Sequence, residues 1–298
     1  MQSIKVKVLT VFMSLIMVVT MLPALKSNAD TNTWQDKGIT YQLNDSTGVF
    51  TVTGNGPMFD FGMDASHKSN APWYSKRYSI KTVVIGAGIT RVGNNSFVGC
   101  SNLKEIVFQS TGNLKVIGVQ AFYECYTLPR VVFPKGLTTI GTNAFAFNTA
   151  LAAVSFPSTL RTIAYGAFAR CGLKSVVIPA GCTTIGDFAF KSNHSLVSVT
   201  GGANLVTIGK QAFEFTSKLK TFKIVSKKLS RIGSCCFYCS SLKTLQIKKT
   251  TKLKKKKVKG SLYLSSVKTV KVKKSKVKKY RKFFTYRNCG KRRVKVKK

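Results

Sequence analysis

Apolar residues return along most of this chain in one frame. Seven phenylalanines mark it: Phe97, Phe122, Phe145, Phe168, Phe190, Phe213 and Phe237, at intervals of 25, 23, 23, 22, 23 and 24 residues. Leu262 holds the same slot 25 residues further on. Alanine precedes the marker in five units (Ala121, Ala144, Ala167, Ala189, Ala212), and Ser96 and Cys236 stand there in two others. Upstream lies an Ile-Gly pair, as in Ile117-Gly118, Ile140-Gly141, Ile185-Gly186, Ile208-Gly209 and Ile232-Gly233; Val92-Gly93 and Ile163-Ala164 are variants. Downstream runs Leu-x-x-Val-x-Ile, as in Leu128-Val131-Phe133 and Leu173-Val176-Ile178, and Pro134, Pro157 and Pro179 close three of these runs.

The spacing predicts the elements. Val-x-Ile alternation puts two side chains on one face of a short strand. Proline fits just after it, where no ladder donor is needed. The Ile-Gly pair reads as a second extended piece and a turn, and Ala-Phe as a single helical turn. One such coil cannot bury its own apolar side, but a stack can. The expected fold is therefore mainly β: a solenoid of about eight coils over residues 80–272, with short parallel strands and one helical turn per coil.

Both flanks leave the frame. Residues 30–79 read as a β-rich N-terminal cap, with Ile39–Tyr41 and Val49–Val52 extended and Asn44–Gly48 a turn. Residues 273–298 read as a basic C-terminal cap. There Ser275 starts a short helix with Val277, Tyr280, Phe283 and Phe284 on one side, Gly290 ends it, and Arg293–Val296 adds a strand. In the eighth unit Lys254, Lys255, Lys256 and Lys257 fill the stretch of the Leu-x-x-Ile-Gly frame. Four lysines cannot all be buried, so that side of the coil is expected to face solvent.

The frame reclassifies the cysteines. Eight in one chain suggest a disulfide framework. Yet the third slot after each marker reads Cys100, Cys125, Asn148, Cys171, Asn193, Thr216 and Ser240, a set that fits a small buried hydrogen-bonding position. Cys182 takes a repeat leucine's place. A Cys235–Cys239 pair or a metal site stays open, although no histidine completes a zinc set.

Charge changes the picture more. The chain carries 49 Lys and Arg against 9 Asp and Glu. The excess is +5 over residues 30–190, +8 over 191–247 and +24 over 248–298, with no acid after Glu214. At the start, Lys5 and Lys7 precede an uncharged run from Val8 to Leu22, and Ser27-Asn28-Ala29 offers a small-residue cleavage site. Residues 1–29 thus read as a signal peptide whose apolar run is too short for the roughly 20 residues of a span, with no later segment apolar enough to cross a bilayer.

The repeated unit resembles the BspA-like leucine-rich repeat family, whose pattern is Cys/Asn-x-x-Leu-x-x-Val-x-Ile-Pro followed by Leu-x-x-Ile-Gly-x-x-Ala-Phe. Cys171-Gly172-Leu173-Lys174-Ser175-Val176-Val177-Ile178-Pro179 matches it with one residue missing before Leu173. The resemblance spans residues 80–272 and rests on repetition. It implies a bacterial, secreted or cell-surface protein that binds rather than catalyses, with adhesion or host-protein recognition in some members and caps at both ends.

Catalytic chemistry finds little support. His67 and His194 have no acid or nucleophile at motif spacing, and Asp60-Phe61-Gly62 lacks the other kinase motifs. Asp60 and Asp64 offer two carboxylates, few for calcium. No enzyme, cofactor or metal is expected.

The outward columns of the Leu-x-x-Val-x-Ile strands carry the binding expectation. One reads Val107, Val132, Ser155, Val177, Thr200, Lys223, Gln246, Lys271; the other reads Lys104, Pro129, Ala152, Lys174, Val197, Lys220, Lys243, Lys268. The strip passes from weakly apolar to basic. It is the expected site for an extracellular or host macromolecule. The alternative is attachment to anionic envelope or extracellular polymers through the lysine-rich end, with Lys254–Lys257 as its anion-binding residues. Lysine over arginine there favours diffuse neutralisation over shaped recognition; nucleic acid would bind such a stretch in vitro too, but secretion argues against a specific nucleic-acid partner.

Overall fold

The structure, a computed structural model, describes residues 30–247, 252–285, 289 and 293–298. The signal-peptide expectation for residues 1–29, and Gly290, lie outside them.

Two sheets run along the stack. The face sheet takes one strand per coil from the Leu-x-x-Val-x-Ile runs: Thr82–Ile85, Glu105–Phe108, Arg130–Val132, Ala153–Ser155, Ser175–Ile178, Ser198–Gly201, Thr221–Ile224, Thr244–Gln246 and Thr269–Lys271. The back sheet takes the Ile-Gly pieces, from Gly56–Pro57 and Ile89–Val92 through Val116–Ile117, Thr139–Ile140, Thr162–Ile163, Thr184–Ile185 and Thr207–Ile208 to Arg231–Ile232. Neighbouring repeat strands pair in parallel and in register, for example Thr184↔Thr207 and Val199↔Phe222. Parallel pairing follows from a chain that re-enters each sheet once per coil in the same direction.

The face ladder is interrupted between Glu105–Phe108 and Arg130–Val132, and between Ala153–Ser155 and Ser175–Ile178. The first gap has a visible cause. Coil after coil, the residue after Leu donates its N–H to the coil before: Ala152 to Pro129, Val197 to Lys174, Lys220 to Val197, Lys268 to Lys243. Pro129 has no N–H to donate. The second gap falls at the shortened link Cys171-Gly172-Leu173, where one bond, Lys174 N–H to Ala152 O at 3.1 Å, still crosses.

The Ala-Phe segments form the third edge. Each is a hydrogen-bonded turn, not a stretch of α-helix, closed by bonds such as Ala146 N–H to Asn143 O. The residues two before and two after each marker lie at positive φ, for instance Asn143 (51°) and Phe147 (66°). This alternation points every second N–H along the stack. Asn95, Phe97 and Gly99 donate forward to Val119, Ala121 and Tyr123, and Phe145 and Phe168 donate to Ala167 and Ala189.

Inside, the markers stack. Phe122, Phe145, Phe168, Phe190 and Phe213 lie ring on ring at 5.2–5.7 Å with interplanar angles of 6–14°. All are fully buried, as are Ile117, Ile140, Ile163, Ile185, Ile208 and Ile232. Burial of each such side chain stabilises by about 1.5–3 kcal/mol. Glycine follows isoleucine because coils touch there: a Cβ on Gly233 would run into the backbone of Gly209 and Lys210.

At the N-terminal end, Thr31–Asp36, Ile39–Asn44 and Val49–Gly54 form an antiparallel meander, and Val49–Gly54 then pairs in parallel with Thr82–Ile85. The first of these strands was not expected, because Trp34 is its only large apolar residue. Asn44 shapes the expected turn, its Oδ1 accepting from Thr47 N–H at 2.9 Å. Trp73 seals the end of the stack. It packs against Tyr41, Phe50, Phe61 and Phe97, and its indole N–H donates to Ser96 O at 2.7 Å. Phe61 N–H donates to Asn94 O beside it.

At the other end, Lys257 stands in the isoleucine slot but is exposed, and Val258 enters the core instead. Helix α1 (Val277–Arg281) follows a 3₁₀ turn at Lys274–Lys276. Ser275 does not cap it. Ser275 sits inside that turn, closed by Lys276 N–H to Lys273 O, so it cannot take the extended backbone of a capping residue. Tyr280, Phe283 and Phe284 are buried, though both phenylalanines lie beyond the helix. The last strand is Lys295–Lys297, parallel to Thr269–Lys271.

Candidate functional site

The face sheet sorts its side chains by parity. Val131, Val176, Val199, Phe222, Leu245 and Val270 point inward and are buried; the residues between them point out. Val132 and Val177 are 43% and 65% exposed, and Val107 is half-buried. Lys174, Lys220, Lys223, Lys243 and Lys268 are exposed, and Lys271 is half-buried between strands on both sides. The pairing aligns Val177, Thr200, Lys223, Gln246 and Lys271 in one row across successive strands. Adjacent strands lie about 4.8 Å apart, so Lys220, Lys243 and Lys268 crowd like charges, a mildly unfavourable arrangement that an anion relieves.

The row continues beyond the expected residues. Lys297 pairs opposite Lys271, and Lys295 opposite Thr269. With Lys268 and Arg293 they line a concave end of the face. The periodic frame misses them because they lie outside any repeat unit. None of the face lysines forms an ion pair among the described residues.

A second surface escaped the sequence reading. On the turn edge Tyr123 meets Phe147, Tyr165 meets Phe188 and Phe215 meets Tyr238, at 5.1–5.4 Å. Arg170 lies 4.9 Å over Phe147, and Lys191 lies 5.1 Å over Phe188 while pairing with Glu214 at 2.7 Å. The signal was present: the slots two before and two after the marker hold Phe147, Phe188 and Phe215, where the other units carry small or polar residues such as Asn95, Gln120, Gly166 and Ser192.

The remaining candidates serve structure. Asp60 takes Arg91 at 2.6 Å and Asn94 N–H at 2.8 Å; Asp64 takes the N–H groups of Ser66 and Lys68. They do not share a site. The cysteine slot bonds the turn carbonyls: Cys125 Sγ to Phe97 O at 3.3 Å, Cys171 Sγ to Phe145 O at 3.1 Å, Asn193 Nδ2 to Phe168 O at 2.7 Å, Thr216 Oγ1 to Phe213 O at 2.8 Å. All eight cysteines are free thiols, Cys235 and Cys239 included. Burial pushes Cys100, Cys171 and Cys236 far up, and Cys182 to about 11. No cluster of three or more His, Cys, Asp or Glu that could hold a metal occurs among the described residues. No helix among them is long and apolar enough to cross a membrane.

Parallel coils, an Ile-Gly back sheet and a phenylalanine ladder define a leucine-rich repeat solenoid. The chain belongs to the BspA-type leucine-rich repeat family: the BspA type leucine rich repeat region matches residues 70–192 and 162–289, in six copies. That places it among repeat-based binding or surface proteins. A leucine-rich repeat protein from Bacteroides ovatus has the same fold, with a TM-score of 0.55 at 22% identity over 91% of this chain and 76% of that one. The T. pallidum leucine-rich repeat protein scores 0.43 at 20% identity, over 70% of this chain and 89% of that one. A leucine-rich cell surface protein from Faecalibacterium prausnitzii scores 0.36 at 18% identity, over 91% and 95%. No curated protein sequence matches the chain.

Proposed function

We propose that this protein is a secreted or cell-surface recognition protein that binds an extracellular or host macromolecule through its face sheet, without catalysis. Residues 1–29 serve as the secretion leader in this reading. The carrying observation is the outward row that runs from the exposed Val132 and Val177 to Lys223, Lys271 and Lys297, with only Lys271 of these half-buried. Such a row suits a partner with an apolar patch beside an acidic one. Apolar contact supplies affinity that survives salt, and the lysines steer the encounter. The test is capture of extracellular and host glycoproteins on the immobilised chain at moderate salt. Val132→Lys and Val177→Lys should each abolish retention, and a partner retained equally by both variants would overturn the face as the site.

A second reading is attachment to anionic polymers through the basic end. It is favoured by the exposure of all four of Lys254–Lys257. Retention on cells should then fall with salt and with replacement of these lysines by glutamine. Retention unchanged by both would refute it.

A further inference from the structure

The eighth coil breaks the back sheet, and the break opens a cleft. In earlier coils the residue after isoleucine donates back across the sheet, as Gly209 N–H does to Ile185 O and Gly233 N–H to Ile208 O. In the eighth, Lys255–Lys257 forms a 3₁₀ turn, and the corresponding N–H, that of Val258, bonds Lys255 O within its own coil. The last back strand, Arg231–Ile232, is left facing that turn across a gap of about 260 Å³. Lys210, Arg231, Gly233 and Ser234 line one wall, and Lys256, Lys257 and Lys259 the other.

We propose that this cleft is an anion-binding site for a phosphate or sulfate group carried on a small or polymeric ligand. Five cationic side chains converge on it, and no acid lines it. The nearby acids are already engaged: Asp187 Oδ1 takes the backbone N–H of Lys210, and Glu214 holds Lys191. None of the five cations forms an ion pair among the described residues. Arg231 is half-buried among the lining residues, and its planar fork offers paired donors to two oxygens of a tetrahedral anion. The volume falls below the roughly 300–1,000 Å³ of pockets for drug-sized ligands, which suits a charged group and its immediate attachment.

The site lies on the back sheet and does not depend on the face-sheet reading. It narrows the second reading, because Lys256 and Lys257 enter the cleft while Lys254 and Lys255 do not line it.

The experiment is isothermal titration of the purified chain with inorganic pyrophosphate at 150 mM salt. Saturable one-site binding is expected. Arg231→Gln with Lys257→Gln should weaken it at least tenfold, and Lys256→Gln with Lys259→Gln, both exposed positions, should do the same. Lys37→Gln with Lys68→Gln removes equal charge from exposed positions of the N-terminal cap and should change it less than threefold. Flotation with phosphatidylglycerol vesicles distinguishes the source. Loss of vesicle binding in the cleft variants assigns a lipid headgroup, and loss of pyrophosphate binding alone assigns soluble or polymer-borne phosphate. Absence of saturable binding, or equal loss in the cap control, would overturn the site. Salt-sensitive retention on cells would remain measurable in either case, so failure of the cleft and failure of diffuse attachment are separable.

Discussion

Replacing Phe168 by alanine tests whether the aromatic ladder holds adjacent coils together. Phe168 is fully buried between Phe145 at 5.4 Å and Phe190 at 5.7 Å, with Phe156 edge-on at 5.6 Å. A buried Phe→Ala change costs about 3–5 kcal/mol, more where the surroundings cannot collapse. Here they cannot collapse readily, because both flanking coils are tied by turn bonds such as Phe145 N–H to Ala167 O and Phe168 N–H to Ala189 O. A coil touches only its neighbours, so the loss should stay local and divide the stack instead of softening it uniformly. Amide hydrogen exchange reads this directly. The N–H groups of Phe145, Phe168 and Phe190 should exchange about a hundredfold or more faster, while amides of the N-terminal meander change little. Guanidinium unfolding should show a lower first midpoint and two phases. Val177→Ala, on the exposed face, is the control, with an expected effect within about 0.5 kcal/mol. If Phe168→Ala behaves like that control, or if protection falls equally from end to end, the ladder is not what couples the coils.

Trp73→Phe keeps the ring contacts but removes the indole N–H from Ser96 O, leaving a buried carbonyl unpaired. Destabilisation of about 1–3 kcal/mol is expected by chemical melting. Cys171→Ser should fold with a loss of about 1 kcal/mol or less, since Ser240 fills the same slot. Thiol labelling of the native chain should reach Cys239, which is exposed, long before the buried cysteines. Stability should fall at alkaline pH: Cys182 keeps its proton in the fold up to about 11 but loses it near 9 when unfolded, so its contribution is full below 9 and lost between 9 and 11. A melting temperature flat across that window in the wild type, with no flattening effect of Cys182→Ala, would refute the assignment.

The periodic part of the chain was legible because each coil repeats the same burial problem. Every Phe marker and the isoleucine of every Ile-Gly pair lies in the core, as do most inward strand residues, with Phe108, Val154 and Phe156 partly buried against it. The cysteine slot was legible for the same reason, since Asn193 and Thr216 reveal its hydrogen-bonding role. What spacing hides is where the pattern stops. The strand Thr31–Asp36 alternates too weakly to announce itself. Lys295 and Lys297 join the face only through a chain return that no repeat encodes. The cleft at Arg231 arises from an absent strand, and Lys257 in an isoleucine slot signals exposure without saying what forms instead. The face columns were written in the sequence, whereas the aromatic turn edge needed the positive φ angles of Phe147, Phe188 and Phe215 to bring their rings outward beside their neighbours.

The forward-pointing turn bonds have an electrical consequence. Within a β-sheet, peptide dipoles alternate and largely cancel. Along the Ala-Phe edge they do not: the N–H groups of Asn95, Phe97 and Gly99, and of their counterparts in later coils, all point toward the C-terminal end. Dipoles aligned head to tail add, as they do in a helix. The backbone therefore makes this edge a line of aligned dipoles before any side chain is counted, opposed across the coil by the sheet-end N–H groups that point back, such as those of Gly209 and Gly233. Its negative pole lies at the N-terminal end, where Phe61 N–H and Trp73 Nε1 cover the first carbonyls. Its positive pole lies at the end where the lysines accumulate, so along this edge backbone and side chains present the same sign of charge to an approaching partner.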